Sequence, residues 1–185
     1  MAKLKTAADK IADFCKYLNK IVKYHGLYLW GGQGEFVEDD GRVDVKMVAV
    51  MEQTAETAKR VLDRLVECYL AGYDMSKARF FDCSGLGVFY FMKKGYLSSD
   101  TTADGLYRLC KTHPTFAELV PGDMVFKSKS SKGTWGHVAY CSGYDENGEI
   151  LVTEARGRAY GVVTRPLSVG EWTGTGRPDF WSNAA

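Results

Sequence analysis

Cys83 stands in the stretch FFDCSGLGVFYFMKKG, with Asp82 before it, Ser84 after it and a helix-forming apolar run beyond. A thiol at such a position can serve as a nucleophile if a base takes its proton and a third group orients that base. The second half of the chain supplies both residue types. His137 opens the segment HVAYC and Glu154 closes ILVTEA, so a hairpin between the two segments would bring imidazole and carboxylate together. The chemistry open to this set is acyl transfer through a thioester.

These side chains need elements to hold them. Asp82 is a good N-cap, Leu86, Phe89 and Tyr90 give an apolar face, Lys93 and Lys94 suit the last turn, and Gly95 suits C′. Cys83 is then in the first turn of a helix, where unpaired backbone N–H groups favour a thiolate and can meet an oxyanion. Asp82 opposes this as a neighbouring anion, so the helix alone does not activate the thiol. The turn at Pro121-Gly122 leads into a strand, His137, Ala139 and Cys141 alternate with Val138 and Tyr140, and YDENGE reads as the turn of an antiparallel hairpin.

The first half is helical in pattern. Leu4, Ala7, Ile11, Phe14, Leu18 and Ile21 recur at three- and four-residue steps, predicting an amphipathic helix over 4–22 that Gly26 ends, with Lys10, Lys16, Lys20 and Lys23 on its solvated face. Residues 42–48 alternate weakly and suggest a short strand. Thr54 caps a second helix with Ala58, Val61, Leu62, Leu65 and Tyr69 on one face and Gly72 at its close, and TTADGLYRLCK predicts another. Helices first and antiparallel strands second make an α+β domain.

Composition narrows the classes. A chain of 185 residues with formal net charge +1 fits one globular domain and carries no overall basic field to suggest nucleic acid. The start lacks the uninterrupted apolar core of a signal peptide, and no run approaches a membrane span. The expectation is synthesis in the cytoplasm, as a monomer, with any export by a route the sequence does not encode. The 5 cysteines are odd in number and widely spaced, and with the 3 histidines they form no CxxC or HxxxH pattern, so neither a disulfide framework nor a metal site is expected. Cys15, Cys68, Cys110 and Cys141 read as small packing residues. A lone cysteine, histidine or strand-edge glutamate is ordinarily structural too, and spacing alone leaves the enzyme and packing readings both open.

The segments YLWGG, FDCSGLGVFYF, TTADGLY, VPGDMVF, WGHVAYCSGY and VTEARGRAYGVV occur in the order found in the NlpC-type papain-like cysteine peptidases, bacterial and phage enzymes that cut cell-wall peptides. The resemblance covers most of residues 26–166, and DCSG, PGD and GHV in sequence are its specific combination. It implies a papain-like fold, no cofactor, Cys83 as nucleophile, His137 as base, Glu154 as the third polar residue and Tyr28 near the active site. Trp30, Asp82 and Ser84 flank these as substrate-binding candidates. The implied substrate is peptidoglycan, commonly at the bond between D-glutamate and the diamino acid. An amidase cutting next to muramic acid, an acyltransferase or deamidase effector, and a non-catalytic binding module remain alternatives. The absent signal peptide suggests a phage lysin or the cargo of another export route, acting at the wall. Residues near 35–79 form a helical insertion between YLWGG and DCSG where many members have a short loop, within a single catalytic domain over 1–185.

Overall fold

The computed structural model describes residues 6–129 and 133–182. In chain order its elements are α1 (Ala7–Lys23), β1 (Leu27–Tyr28), β2 (Gln33–Phe36), α2 (Val45–Glu52), α3 (Ala55–Leu70), β3 (Arg79–Phe81), α4 (Gly85–Lys93), α5 (Ala103–Leu109), β4 (Cys110–Thr112), β5 (Met124–Ser128), β6 (Trp135–Tyr144), β7 (Ile150–Ala155), β8 (Val162–Pro166) and β9 (Gly174–Pro178). Short 3₁₀ turns lie at Phe116–Glu118, Leu167–Val169 and Asp179–Trp181. Helices lead and antiparallel strands follow.

Strands β4–β9 form one sheet in the order β4-β9-β5-β6-β7-β8, antiparallel throughout, with β6 and β7 joined by the expected hairpin. One face packs on α4 and α1 through Val138, Tyr140, Met124, Phe126, Leu86, Phe91 and Phe14. The other face is covered by Trp172 and Leu119 over Val125, Ala139, Cys141 and Val152. The alternation of β6 therefore buries both sets of its side chains, and His137 sits where the strand emerges from this double cover.

A three-stranded sheet, β1-β3-β2, carries the chain into the Cys83 segment. Its rear is covered by α2 and α3, which contribute Val48, Ala58, Val61, Leu65 and Cys68 to a second core with Leu27, Leu29 and Phe80. The stretch near 35–79 thus owes its stability to apolar burial against β1 and β3 rather than to the main sheet.

Several local expectations need correction. Lys10, expected on the solvated face of α1, is buried on its inner side, unlike the exposed Lys20. Residues 42–48 are not a strand. Asp44 accepts a hydrogen bond from the N–H of Met47 at 2.8 Å and starts α2, so a capping side chain outweighs a weak alternation. Tyr69 is not on the buried face of α3, which is completed by Cys68, while Tyr69 is exposed and donates to Glu38. At the end of α1 the left-handed residue is His25, with φ of 54°, rather than Gly26. Gly26 is needed for another reason, because a Cβ there would lie 2.7 Å from Ile21. The expected start of α1 at Leu4 lies outside the described residues; Thr6 forms a capping box with Asp9.

Candidate active site

The turn that carries Cys83 is fixed from three directions. Asp82 Oδ1 accepts from the N–H of Gly85 at 2.6 Å and from Ser84 Oγ at 3.0 Å, so Asp82 holds the turn into α4, although the N-cap position is Ser84 and Cys83 lies just before the helix rather than in its first turn. The Asp82 N–H donates to the carbonyl of Gly32 at 3.0 Å, tying DCSG to YLWGG. From the sheet, Tyr140 Oη donates to the carbonyls of Cys83 and Ser84 at 3.2 and 3.0 Å. The glycines of this segment follow from those contacts. A Cβ on Gly85 would lie 2.1 Å from the Gly32 carbonyl oxygen, and one on Gly87 would lie 2.4 Å from the Tyr140 ring.

Cys83 is half-buried, and its sulfur approaches the carbonyl oxygen of Gly136 at 4.0 Å, one residue before His137. Burial and the Asp82 carboxylate push the thiol up to about 11, while the backbone N–H groups of Val138, Ser84 and Cys83 pull the other way. The sulfur therefore rests as a thiol at neutral pH. Nucleophilic use requires a base that takes its proton as the bond forms.

His137 and Glu154 meet across β6 and β7, with Nε2 and Oε2 separated by 2.6 Å. This leaves Nδ1 as the ring nitrogen for proton exchange. Glu154 is wholly buried and also receives the guanidinium of Arg165 from β8, Nε to Oε1 at 2.5 Å. Desolvation raises the Glu154 carboxyl, but the hydrogen bonds from His137 and Arg165 outweigh it, and the net direction is downward. Arg165 is anchored in turn on the carbonyl of Val169 at 2.6 Å. On the other side the His137 ring stacks on Trp172, with centroids 5.9 Å apart and planes at 11°. Imidazole orientation is thus set by a carboxylate at one edge and an indole over one face.

Tyr28 is buried within electrostatic reach of Cys83 and Asp82, and its phenol is held above the ordinary value chiefly by desolvation. The Arg158 guanidinium lies 5.3 Å from its ring centroid. Arg158 pairs at 2.6 Å with Glu52, whose side chain is completely buried and whose other oxygen accepts from the N–H of Trp30 at 2.9 Å. The end of α2 therefore holds the segment that carries Tyr28 and Trp30. Trp30 itself is 52% exposed and available to a ligand, whereas Ser84 is buried against Asp82. The structure brings Cys83, Tyr28, Asp82 and Ser84 together at the turn leading into α4 and joins His137 to Glu154 on strands β6 and β7.

Arg165, Trp172, Glu52 and Arg158 were not singled out from sequence. Glu52 and Arg158 lie 106 residues apart and Trp172 comes from a segment far from His137, while Arg165, only 11 residues from Glu154, stands in TRP with no local sign that its partner is a buried carboxylate. Beside His137 and Glu154 a cavity of about 440 Å³ is lined by Lys127, Arg156, Arg165 and Glu171. Among the described residues no group of His, Cys, Asp and Glu is arranged to hold a metal ion, and no helix is long and apolar enough to cross a membrane.

With this geometry in place, comparison with known proteins is informative. The NlpC/P60 family model matches residues 69–175. A search of curated proteins by sequence found no match. Among solved structures the chain resembles the P60 domain of the antigen MAP1204 from M. avium subspecies paratuberculosis, at 21% identity and TM-score 0.50 over 91% of this chain and 96% of that one. It also resembles NlpC1 from Trichomonas vaginalis, at 17% identity and TM-score 0.52 over 90% of this chain and 44% of that one. NlpC2 from the same organism gives 17% identity and TM-score 0.51 over 89% and 46%. The chain spans less than half the length of the two Trichomonas proteins. The likenesses show the papain-like α+β fold that the order of motifs implied, and with a family match over more than half of the residues, the chain belongs to the NlpC/P60 family.

Proposed function

We propose that the protein is a cysteine peptidase that hydrolyses an amide bond in the stem peptide of peptidoglycan, between D-glutamate and the diamino acid, acting at the cell wall. Family membership supports the cell-wall peptidase class. The observation that carries the reading is the His137–Glu154 pair at 2.6 Å, set on the strand that also brings Gly136 to the sulfur of Cys83. Lys127 and Arg156 line the cavity beside His137 together with Glu171, and the two cations favour a substrate with free carboxylates, which a stem peptide has.

In this mechanism His137 takes the Cys83 proton at Nδ1 as the sulfur attacks the peptide carbonyl. The Cys83 N–H and Tyr28 meet the developing oxyanion. Protonated His137 then gives its proton to the leaving amine, and a thioester remains on Cys83. Water that loses a proton to the same ring hydrolyses the thioester, and the acid product leaves. Glu154, held ionised by Arg165, stabilises the imidazolium in both halves. The test is digestion of purified muropeptides followed by mass spectrometry. Fragments split after D-glutamate support the reading, whereas release of the whole peptide from muramic acid indicates an amidase, and acylated acceptor without hydrolysis indicates a transferase.

A further inference from the structure

A second cavity, of about 470 Å³, lies between α1, the start of β3 and the end of α4. It is lined by four cations, Lys20, Lys77, Arg79 and Lys93, together with Tyr17, Tyr24, Phe36 and Phe89, and by no carboxylate. The cations converge from three separate segments in a chain whose formal net charge is only +1. Among the described residues none of the four is in an ion pair, although Asp74 lies within electrostatic reach of Lys77. Like charges gathered this way repel one another unless an anion joins them.

We propose that this cavity binds an anionic polymer whose charge is carried by phosphodiester groups. The side chains present select among anions. Lys20 and Lys77 share the Tyr24 ring, at 5.7 and 5.5 Å from its centroid, and Lys93 lies 5.8 Å from that of Phe89. Three ammonium groups are point charges suited to phosphate without a fixed direction of approach. Arg79 has its guanidinium 3.7 Å from the centroid of Phe36 and commits one Nη–H to the Gly34 carbonyl, so it adds positive charge with part of its fork already engaged. Tyr24, Phe36 and Phe89 each have a cation near the ring, and Tyr17 packs against Phe14, Phe89 and Tyr90, which leaves less open ring face for stacked bases than a nucleic-acid groove offers.

The site is distinct from the nucleophile. Lys93 closes α4 while Cys83 precedes its start at Gly85, so the two are separated by at least the helix length of roughly 12 Å. A polymer held there keeps the enzyme on its surface while the cleft engages a peptide. That the polymer belongs to a cell envelope rests on the function proposed above; the binding does not.

The test uses fluorescently labelled poly(glycerol phosphate) and measures anisotropy with wild type, Cys83→Ala and the triple variant K20Q/K77Q/K93Q. The three lysines are exposed, so the triple variant keeps the fold, and K20R/K77R/K93R controls for it. Expected are salt-sensitive binding, no change in Cys83→Ala, at least tenfold weaker binding in the glutamine variant and retention in the arginine variant, with cleavage of soluble muropeptides unaltered. No binding, undiminished binding by the glutamine variant, or equal binding of single-stranded DNA or polygalacturonate of matched charge would overturn the proposal. Because binding is read without turnover, failure of the peptidase reading leaves this result separately legible.

Discussion

Glu154 Oε2 lies 2.6 Å from His137 Nε2 while its other oxygen lies 2.5 Å from Arg165 Nε, so one buried carboxylate joins the His137 imidazole to a strand cation. Arg165 is a positioning residue in this arrangement. With the guanidinium in place the Glu154 carboxyl titrates below the ordinary carboxylate range. Its contribution to stability is therefore present above the unfolded carboxylate value and lost as pH falls through the folded one. Arg165→Gln removes a cause of the depression, so the acid limb of the pH–rate profile should move to higher pH. Unchanged limbs in the variant would deny Arg165 this role.

Breaking the same pair from the other side should be costly. Glu154→Gln leaves Arg165 without its buried partner, and a loss of about 3–5 kcal/mol is expected in denaturant unfolding. The double variant Glu154→Leu, Arg165→Met should recover a substantial part of that stability but no activity. Equal stability of the single and double variants would contradict the assignment.

The raised thiol gives a prediction for modification rate. Alkylation of Cys83 by iodoacetamide should keep climbing with pH toward an inflection near about 11, above the ordinary cysteine value of about 8.5. A plateau already reached at pH 6 would mean a resting thiolate–imidazolium pair instead.

Gly87 faces Tyr140 so closely that an added methyl would lie 2.4 Å from the ring. Gly87→Ala should cost about 1–3 kcal/mol by overpacking. It should also reduce kcat by more than its effect on folding explains, because Tyr140 holds the carbonyls of Cys83 and Ser84. Urea unfolding and steady-state kinetics on the same sample separate the two effects.

Glu52 links α2 to the cleft through Arg158 and the Trp30 N–H. Glu52→Ala should destabilise by about 3–5 kcal/mol and, at temperatures where the variant is folded, raise KM more than it lowers kcat. A variant with normal stability and KM would show that the stretch near 35–79 does not support the substrate site.

Much of this arrangement is legible in the sequence because its signals are local. Asp82 before CSGLG, Thr54 before AETA and Gly95 after MKK mark helix ends through bonds and turns that act within a few residues, and the hairpin sets the strands of His137 and Glu154 side by side so that the two side chains meet diagonally. What is not legible depends on contacts between distant segments. Residues 42–48 alternate like a strand, yet the cap on Asp44 and the burial of Val48 against β1 and β3 make the region helical. Arg165 and Trp172 acquire their places only when β8 and the segment before β9 fold beside His137, and nothing within a few residues of either announces that neighbour.

The most direct measurement is mass spectrometry of intact peptidoglycan and purified muropeptides after incubation with wild type and with Cys83→Ala, both verified as folded. The account predicts cleaved stem-peptide fragments with wild type alone. Equal fragment yield from Cys83→Ala would contradict it, because the bond would then be cut without the thiol on which the site is built.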